Sequence, residues 1–98
     1  MTLAMVEFFD AEHGGRNAPP LSGFRPQIEI NGLHTSCTVD SADGAVTFEF
    51  GVKHKVLLRL MHPSHFPSTW LVGTTVHLFE GNKLIGSGEV IELSPDSD

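Results

Sequence analysis

The fold is indicated first by residues 14–30, which read GGRNAPPLSGFRPQIEI. The paired glycines permit a sharp reversal of the chain, because glycine adopts positive φ without a steric cost. The two prolines at 19–20 then exclude a helix. From Phe24 to Ile30 apolar and polar residues alternate, which is typical of a half-buried strand. Since Pro26 has no N–H, this strand is expected to begin there or to run along a sheet edge.

Composition indicates one small globular domain. The chain has 98 residues and a mass of 10.6 kDa, so we predict a single domain over residues 1–98, with 94–98 as a solvated tail. Hydrophobic residues make up 40% and charged residues 18%, as in globular proteins. No apolar run approaches the ~20 residues of a membrane helix, and the N-terminal residues lack the basic region of a secretory signal. We therefore expect no membrane association and a cytoplasmic location.

Charge and cysteine content narrow the function. The formal net charge is −6, with 6 Lys+Arg against 12 Asp+Glu. Nucleic-acid binders draw much of their affinity from clustered Lys and Arg, so this balance disfavours an autonomous RNA-binding domain. Cys37 is the one cysteine of the sequence. It cannot form an internal disulfide, and we expect a buried free thiol.

The apolar pattern predicts strands throughout the chain. Residues 52–61 contain good helix formers, but Gly51 and Pro63 bound them at strand length and favour a strand. Asp43-Gly44 predicts a tight hairpin turn. The predicted strands are 2–9, 24–31, 37–40, 46–50, 52–61, 74–80 and 84–93.

Two glycines inside the last predicted strand bear on the architecture. Gly86 and Gly88 predict a bend or a close approach of two backbones. Strands that recur about every ten residues without a helix indicate an antiparallel sandwich or barrel. Because glycine kinks let a sheet curl shut, we predict an all-β fold that closes into a small barrel.

Three motifs in order resemble the C-terminal barrel, or third domain, of bacterial elongation factor Tu. They are GGR at 14–16 with GFRPQ at 23–27, VLLRLMHP at 56–63, and EGNKLIGSGEV at 80–90. The resemblance spans about residues 5–93 and implies a six-stranded antiparallel closed β-barrel. The whole factor also has a GTPase domain and a second barrel. This sequence has no P-loop, so we expect no GTP binding.

In that family the third domain contacts the T stem of aminoacyl-tRNA and the nucleotide-exchange factor. Arg16 would hold a phosphate bidentately, Gly81 would let the backbone approach a ribose, and Glu80 would accept a hydrogen bond from a base or 2′-OH. Asn17 stands where the family has histidine, which weakens the match. The tRNA-contact candidates implied by the resemblance are Arg16, Asn17, Ser36, His62, Glu80 and Gly81.

A second set of residues suits a protein interface. Leu57 and Met61 share the outward face of the predicted strand 52–61, where they form a small apolar patch. Phe66 and Trp70 lie in a proline-rich loop, and Arg25 orders the start of a strand or a domain contact. The protein-interface candidates are therefore Arg25, Leu57, Met61, Phe66 and Trp70.

Catalytic and metal sites are less favoured. His62 and His65 are close in sequence, with His54 and His77 further away, but zinc needs three or four convergent ligands. Cys37 lies near His34, but the sequence identifies no third group that would orient such a pair. We therefore predict no metal site, no cofactor and no catalytic residue.

The sequence favours a stand-alone, non-catalytic module that binds a protein partner linked to translation. One alternative is a weak tRNA-binding module of the T-stem type. Another is a decayed paralogue or a fragment without retained activity. Without a second tRNA-gripping domain, Arg16 is better interpreted as a brace for the carbonyls of its own loop.

Overall fold

The structure, a computed structural model, describes residues 2–61 and 71–93. Within these ranges the chain forms six strands and one short 3₁₀ helix, Ala11–His13. The strands are β1 (Thr2–Phe8), β2 (Gln27–Ile30), β3 (Leu33–Ser41), β4 (Lys53–Leu60), β5 (Thr75–Glu80) and β6 (Lys83–Leu93).

The six strands close into a barrel in the order β1-β4-β3-β2-β5-β6, and every pair of neighbours is antiparallel. Two hairpins are tight. Asn31 and Gly32 join β2 to β3 with φ of 51° and 85°, which suits a two-residue turn that follows the strand twist. Gly81 and Asn82 join β5 to β6. The predicted all-β class and closed antiparallel barrel are confirmed.

The barrel interior is filled by the inward residues of each strand. In β1 burial alternates along the whole strand, as expected where one face meets the core. Fifteen described hydrophobic residues are buried, and the removal of their surface from water is the main stabilising contribution. They are Ala4, Val6, Phe8, Ile28, Ile30, Cys37, Val39, Phe48, Val56, Leu58, Leu60, Val76, Leu78, Ile85 and Val90.

Two of the predicted strands have different bounds. The strand predicted at 24–31 begins only at Gln27, because Pro26 cannot donate to the ladder and Phe24 makes just an isolated bridge to Val39. The strand predicted at 37–40 extends over Leu33–Ser41. The residues before Cys37 were wrongly predicted as a connection, since the turn at positions 31–32 is short enough to start β3 at once.

The predicted strand at 46–50 is wrong. This segment makes isolated bridges, one of them from Thr47 to Leu21, and belongs to no ladder. Its amide at Phe48 donates to the Pro20 carbonyl at 2.9 Å. Phe48 is buried and Val46 is 75% exposed. The alternation of apolar residues at 46–50 therefore arises because this segment covers the core. It does not require a strand of the barrel.

The predicted tight hairpin at Asp43-Gly44 is also wrong, because β4, the strand that pairs with β3, begins only at Lys53. A side chain organises this bend instead. Ser41 Oγ accepts hydrogen bonds from the amides of Asp43 (3.3 Å) and Ala45 (2.8 Å). Gly44 adopts φ of 86°, so the glycine is needed for the bend itself.

Aromatic rings cover the end of the core at which β1 finishes. The Phe8 ring stacks on Phe48 with centroids 5.1 Å apart and meets the edge of Phe24 at 5.8 Å. His54 packs edge-on to Phe48 at 5.3 Å. Such pairs add to the stabilisation from burial, and they anchor the irregular segment around Phe48 to β1.

The two glycines of β6 mark a close approach, as predicted. Gly88 lies opposite Val6, and Gly86 lies opposite Phe8. A Cβ added at Gly88 would lie 1.9 Å from the Met5 carbonyl oxygen, and one added at Gly86 would lie 2.9 Å from the Phe8 ring. The seam between β1 and β6 therefore needs residues without side chains on β6.

Three other features complete the fold. Among the described residues, none lies in a helix of the length and apolarity needed to cross a membrane. The tail predicted at 94–98 and the loop residues 62–70 lie outside the described ranges. The strand predicted at 52–61 is confirmed as β4, with Val56, Leu58 and Leu60 facing inward.

The β1–β6 seam gives a direct stability prediction. Gly88→Ala places a methyl group against backbone that cannot rotate away, so we expect unfolding free energy to fall by about 2–4 kcal/mol. Ser87→Ala, on the same strand, should change it by less than about 0.5 kcal/mol. Urea unfolding monitored by circular dichroism measures both. Equal midpoints for Gly88→Ala and the wild type would contradict this close approach.

Candidate functional site

Arg16 is fixed within the molecule on three sides. Its Nη1 donates to Glu80 Oε2 at 2.6 Å, and its Nε donates to the Ala18 carbonyl at 3.0 Å. The guanidinium also lies over the Phe24 ring, 5.7 Å from the centroid, a favourable cation–π geometry. The side chain is only 25% exposed. The structure thus places Arg16 as a brace that ties its loop to the end of β5.

The local backbone explains this placement. The amide of Arg16 donates to the Phe9 carbonyl at 2.9 Å, so the loop folds back onto the end of β1. Gly14 has φ of 85°, and a Cβ at Gly15 would lie 1.8 Å from that same carbonyl oxygen. Both glycines are therefore required for the reversal, and together they direct Arg16 towards Glu80.

The structure brings some of the tRNA-contact candidates together. Glu80 ends β5, and Gly81 follows it in an exposed turn with φ of 62° and open space around its Cα. Asn17 is exposed beside Arg16. Ser36 lies apart, on β3, with β2 between it and β5. The sixth candidate, His62, lies outside the described residues.

The electrostatics of this group differ from those of an open phosphate site. A phosphate needs free N–H donors on the guanidinium, yet two of them already bind Glu80 and the Ala18 carbonyl. An incoming phosphate would also meet the Glu80 carboxylate at the same place. This arrangement disfavours phosphate binding by Arg16.

Two of the protein-interface candidates are also in contact. Arg25 Nη2 donates to Met61 Sδ at 3.3 Å, and both side chains are exposed. Leu57 is half-buried on β4, opposite Leu3 and Asp40. Since it lies four residues from Met61, about 13 Å along the strand, it does not extend their contact. The other two candidates, Phe66 and Trp70, lie outside the described residues.

The structure adds exposed apolar residues that the sequence analysis did not single out. Leu33 (46% exposed), Leu71 (58%) and Val72 (62%) accompany Met61 (44%). All four lie at one end of the barrel, where β2 turns into β3, β4 finishes and β5 begins. We call this surface the apolar end. Leu33 was missed because its segment was predicted to be a connection.

The opposite end carries a hydrogen-bonded pair of an aspartate and a histidine. The Asp10 carboxylate lies 2.6 Å from His13 Nδ1 and also accepts from the His13 amide at 3.1 Å. This side-chain hydrogen bond lowers the pKa of Asp10 and raises the pKa of His13. The sequence signal was an aspartate three residues before a histidine, a spacing that brings two side chains together in a helical turn.

Nothing among the described residues assembles a catalytic or metal centre. Cys37 points into the core, and burial raises the pKa of its thiol to about 12. His34 lies outside the barrel against Phe79, 5.9 Å between rings, so it is not paired with the thiol. Within residues 2–61 and 71–93, no group of three or more His, Cys, Asp or Glu side chains could hold a metal ion.

The remaining histidines of the metal hypothesis are engaged elsewhere. His54 Nε2 donates to the Glu49 carbonyl at 2.9 Å, and His77 lies 3.4 Å from the Glu29 carboxylate. His62 and His65 lie outside the described residues. Of these four histidines, the two that the structure describes, His54 and His77, therefore have different partners.

No protein-family model matches the chain. The resemblance to the third domain of elongation factor Tu therefore stays a prediction. The assignment of the fold as a closed barrel rests on the register of the paired strands and on the closure of the sheet.

The brace at Arg16 can be measured by a double-mutant cycle. Arg16→Ala should lower unfolding free energy by about 1–2 kcal/mol, because it removes a charged hydrogen bond and packing on Phe24. The coupling between Arg16→Ala and Glu80→Ala should be about 0.5–1 kcal/mol and should weaken as salt screens it. Arg16→Ala with Glu12→Ala is the matched control. A coupling near zero would contradict the brace.

The Asp10–His13 pair predicts a pH dependence. Because the pKa of His13 is raised in the folded state, protonated His13 stabilises the fold below pH 6.5, and this contribution is lost as the pH rises through the folded-state pKa. Because the pKa of Asp10 is lowered, ionised Asp10 stabilises the fold above pH 3.8, and this contribution is lost as the pH falls through the folded-state pKa. The pair should therefore contribute most between these limits. In an NMR titration, His13 should titrate above its usual pKa, and Asp10→Asn should return it. An unchanged midpoint in Asp10→Asn would contradict the contact.

Proposed function

We propose that this chain is a non-catalytic binding module that docks on a protein partner through the apolar end. The observation that carries the proposal is that four exposed apolar side chains, Leu33, Met61, Leu71 and Val72, lie at the same end of the barrel. Single exposed apolar residues are ordinary, whereas several at the same end of a small barrel favour an interaction surface there.

The chemistry of the surroundings supports a protein partner. Arg25 contacts Met61 at the border of this surface, and arginine, methionine and aromatic residues are enriched where proteins meet. In sequence, Met61 and Leu71 flank positions 62–70, which include Phe66 and Trp70. These two aromatic residues belong to the proposal as hot-spot candidates.

Charge favours a protein partner over RNA. The net charge is −6, and the arginine best matched to a phosphate contact is bound to Glu80. Because the sequence has only 6 Lys+Arg against 12 Asp+Glu, we expect the counterion release that drives nucleic-acid binding to be small. The link of the partner to translation, and with it a cytoplasmic location, rests on the three motifs shared with elongation factor Tu.

The apolar end can be tested by variants that change it without entering the core. Met61→Glu and Leu71→Glu place a charge in the proposed interface, and burying it unpaired should weaken binding at least tenfold. Val46→Glu is the matched control, since Val46 is the most exposed large apolar residue described and lies away from this surface. Affinity capture from the source cells, followed by titration of the captured protein, gives both affinities.

The outcomes separate the alternatives. A partner that is lost with Met61→Glu and Leu71→Glu but retained by Val46→Glu supports the proposal. Equal retention by all three variants would contradict it. Binding of tRNA at low salt that weakens with Arg16→Ala but not with Met61→Glu would favour the tRNA alternative instead.

A further inference from the structure

A cleft of about 480 Å³ opens at the end of the barrel opposite the apolar end. It lies between the residues that follow β1, the residues that precede β4 and the start of β6. Phe9, Phe50 and Leu84 supply apolar walls, and Glu7, Asp10 and His13 supply polar groups. Its volume falls within the range of small-ligand sites.

The walls of the cleft combine aromatic surface with negative charge. Phe9 and Phe50 are only half-buried, and Leu84 is 37% exposed, so apolar surface is left facing solvent. Glu7 and Asp10 place two carboxylates beside it. Lys53 on β4 pairs in register with Glu7, and His13 holds Asp10 by the hydrogen bond described above.

We propose that this cleft binds an arginine side chain presented by a protein partner. The planar guanidinium is the cation that both stacks on an aromatic ring and binds carboxylates in a fork. Its alkyl stem would cover the apolar walls. The cleft therefore complements arginine in shape and charge, whereas an acidic side chain would be repelled by Glu7 and Asp10.

The molecule already uses this mode of recognition once. Arg16 lies over the Phe24 ring at 5.7 Å and donates to a carboxylate at 2.6 Å. The cleft offers the same combination, rings and carboxylates, without an arginine of its own among its described walls. An arginine from a partner would complete it.

His13 acts as a competitor for the incoming cation. It contacts Asp10 directly, and the carboxylates of Asp10, Glu12 and Glu7 all raise its pKa. Once protonated it adds positive charge at the edge of the cleft and occupies Asp10. Removal of this side chain should therefore strengthen arginine binding, which is the opposite of the effect of removing a carboxylate.

The test uses the whole chain and a short peptide, acetyl-Gly-Arg-Gly-amide, with its lysine, citrulline and norleucine counterparts. Citrulline keeps the shape of arginine and removes the charge. Titrations followed by ¹⁵N chemical shifts report both affinity and location. We expect the arginine peptide to bind with a Kd of about 1 mM, as for a single side chain, and to shift the amides of Phe9, Gly51 and Leu84.

The variants separate a built site from general attraction to an acidic surface. Asp10→Asn, which can keep the cap to the His13 amide, and Glu7→Gln should each weaken binding roughly two- to five-fold. Glu12→Gln removes the same charge from the neighbouring turn without lining the cleft, and it should change the affinity least. His13→Gln should tighten binding by about twofold.

Three results would overturn the proposal. These are equal binding of the citrulline and arginine peptides, shifts that map away from the cleft, or no shifts at about 10 mM peptide, where a 1 mM site is mostly filled. Tighter binding of the norleucine peptide than of the arginine peptide would be a fourth contradiction, because it would show a purely apolar pocket. Because this cleft and the apolar end lie at opposite ends, failure of one leaves the other intact.

Discussion

The close approach of β6 to β1 is the constraint on which the rest of the structure depends. Gly86 and Gly88 let the two backbones meet, and this contact closes the sheet into a barrel. Closure places Phe8 at the end of the core, where it stacks on Phe48 and holds the irregular segment that covers it. The loop after Phe8 then folds back, and Arg16 reaches the end of β5.

The two ends of the barrel differ because of this arrangement. At the end opposite the apolar end, two pairs of charged side chains are engaged within the molecule: Arg16 binds Glu80, and Asp10 binds His13. At the apolar end, Leu33, Met61, Leu71 and Val72 are exposed. Because Arg16 is engaged by a carboxylate, it is poorly suited to bind a phosphate. An exposed apolar surface is suited to exclude water beneath a protein partner.

The class of fold could be predicted from the sequence because strands and turns are recognised from short-range patterns of residues. The bounding residues Gly51 and Pro63 predicted the strand that is β4, and the glycines of β6 predicted a bend or a close approach of two backbones. The errors came from long-range packing. Residues 46–50 alternate like a strand, but Phe48 is buried because it stacks on Phe8. This contact joins residues that are far apart in sequence, so a local pattern does not reveal it. The functional features were harder still, since the partnership of Arg16 with Glu80 joins positions 64 apart and the cleft joins three separate segments.

Site-specific photocrosslinking tests the central claim most directly, because it reports what touches each end of the barrel. A benzophenone amino acid placed at Leu33 lies on the apolar end, and one placed at Val46 serves as the control. Both positions are exposed, so neither substitution enters the core. We predict one protein adduct from position 33, absent from position 46, and no RNA adduct. A crosslink to tRNA, or the same protein adduct from both positions, would contradict the account.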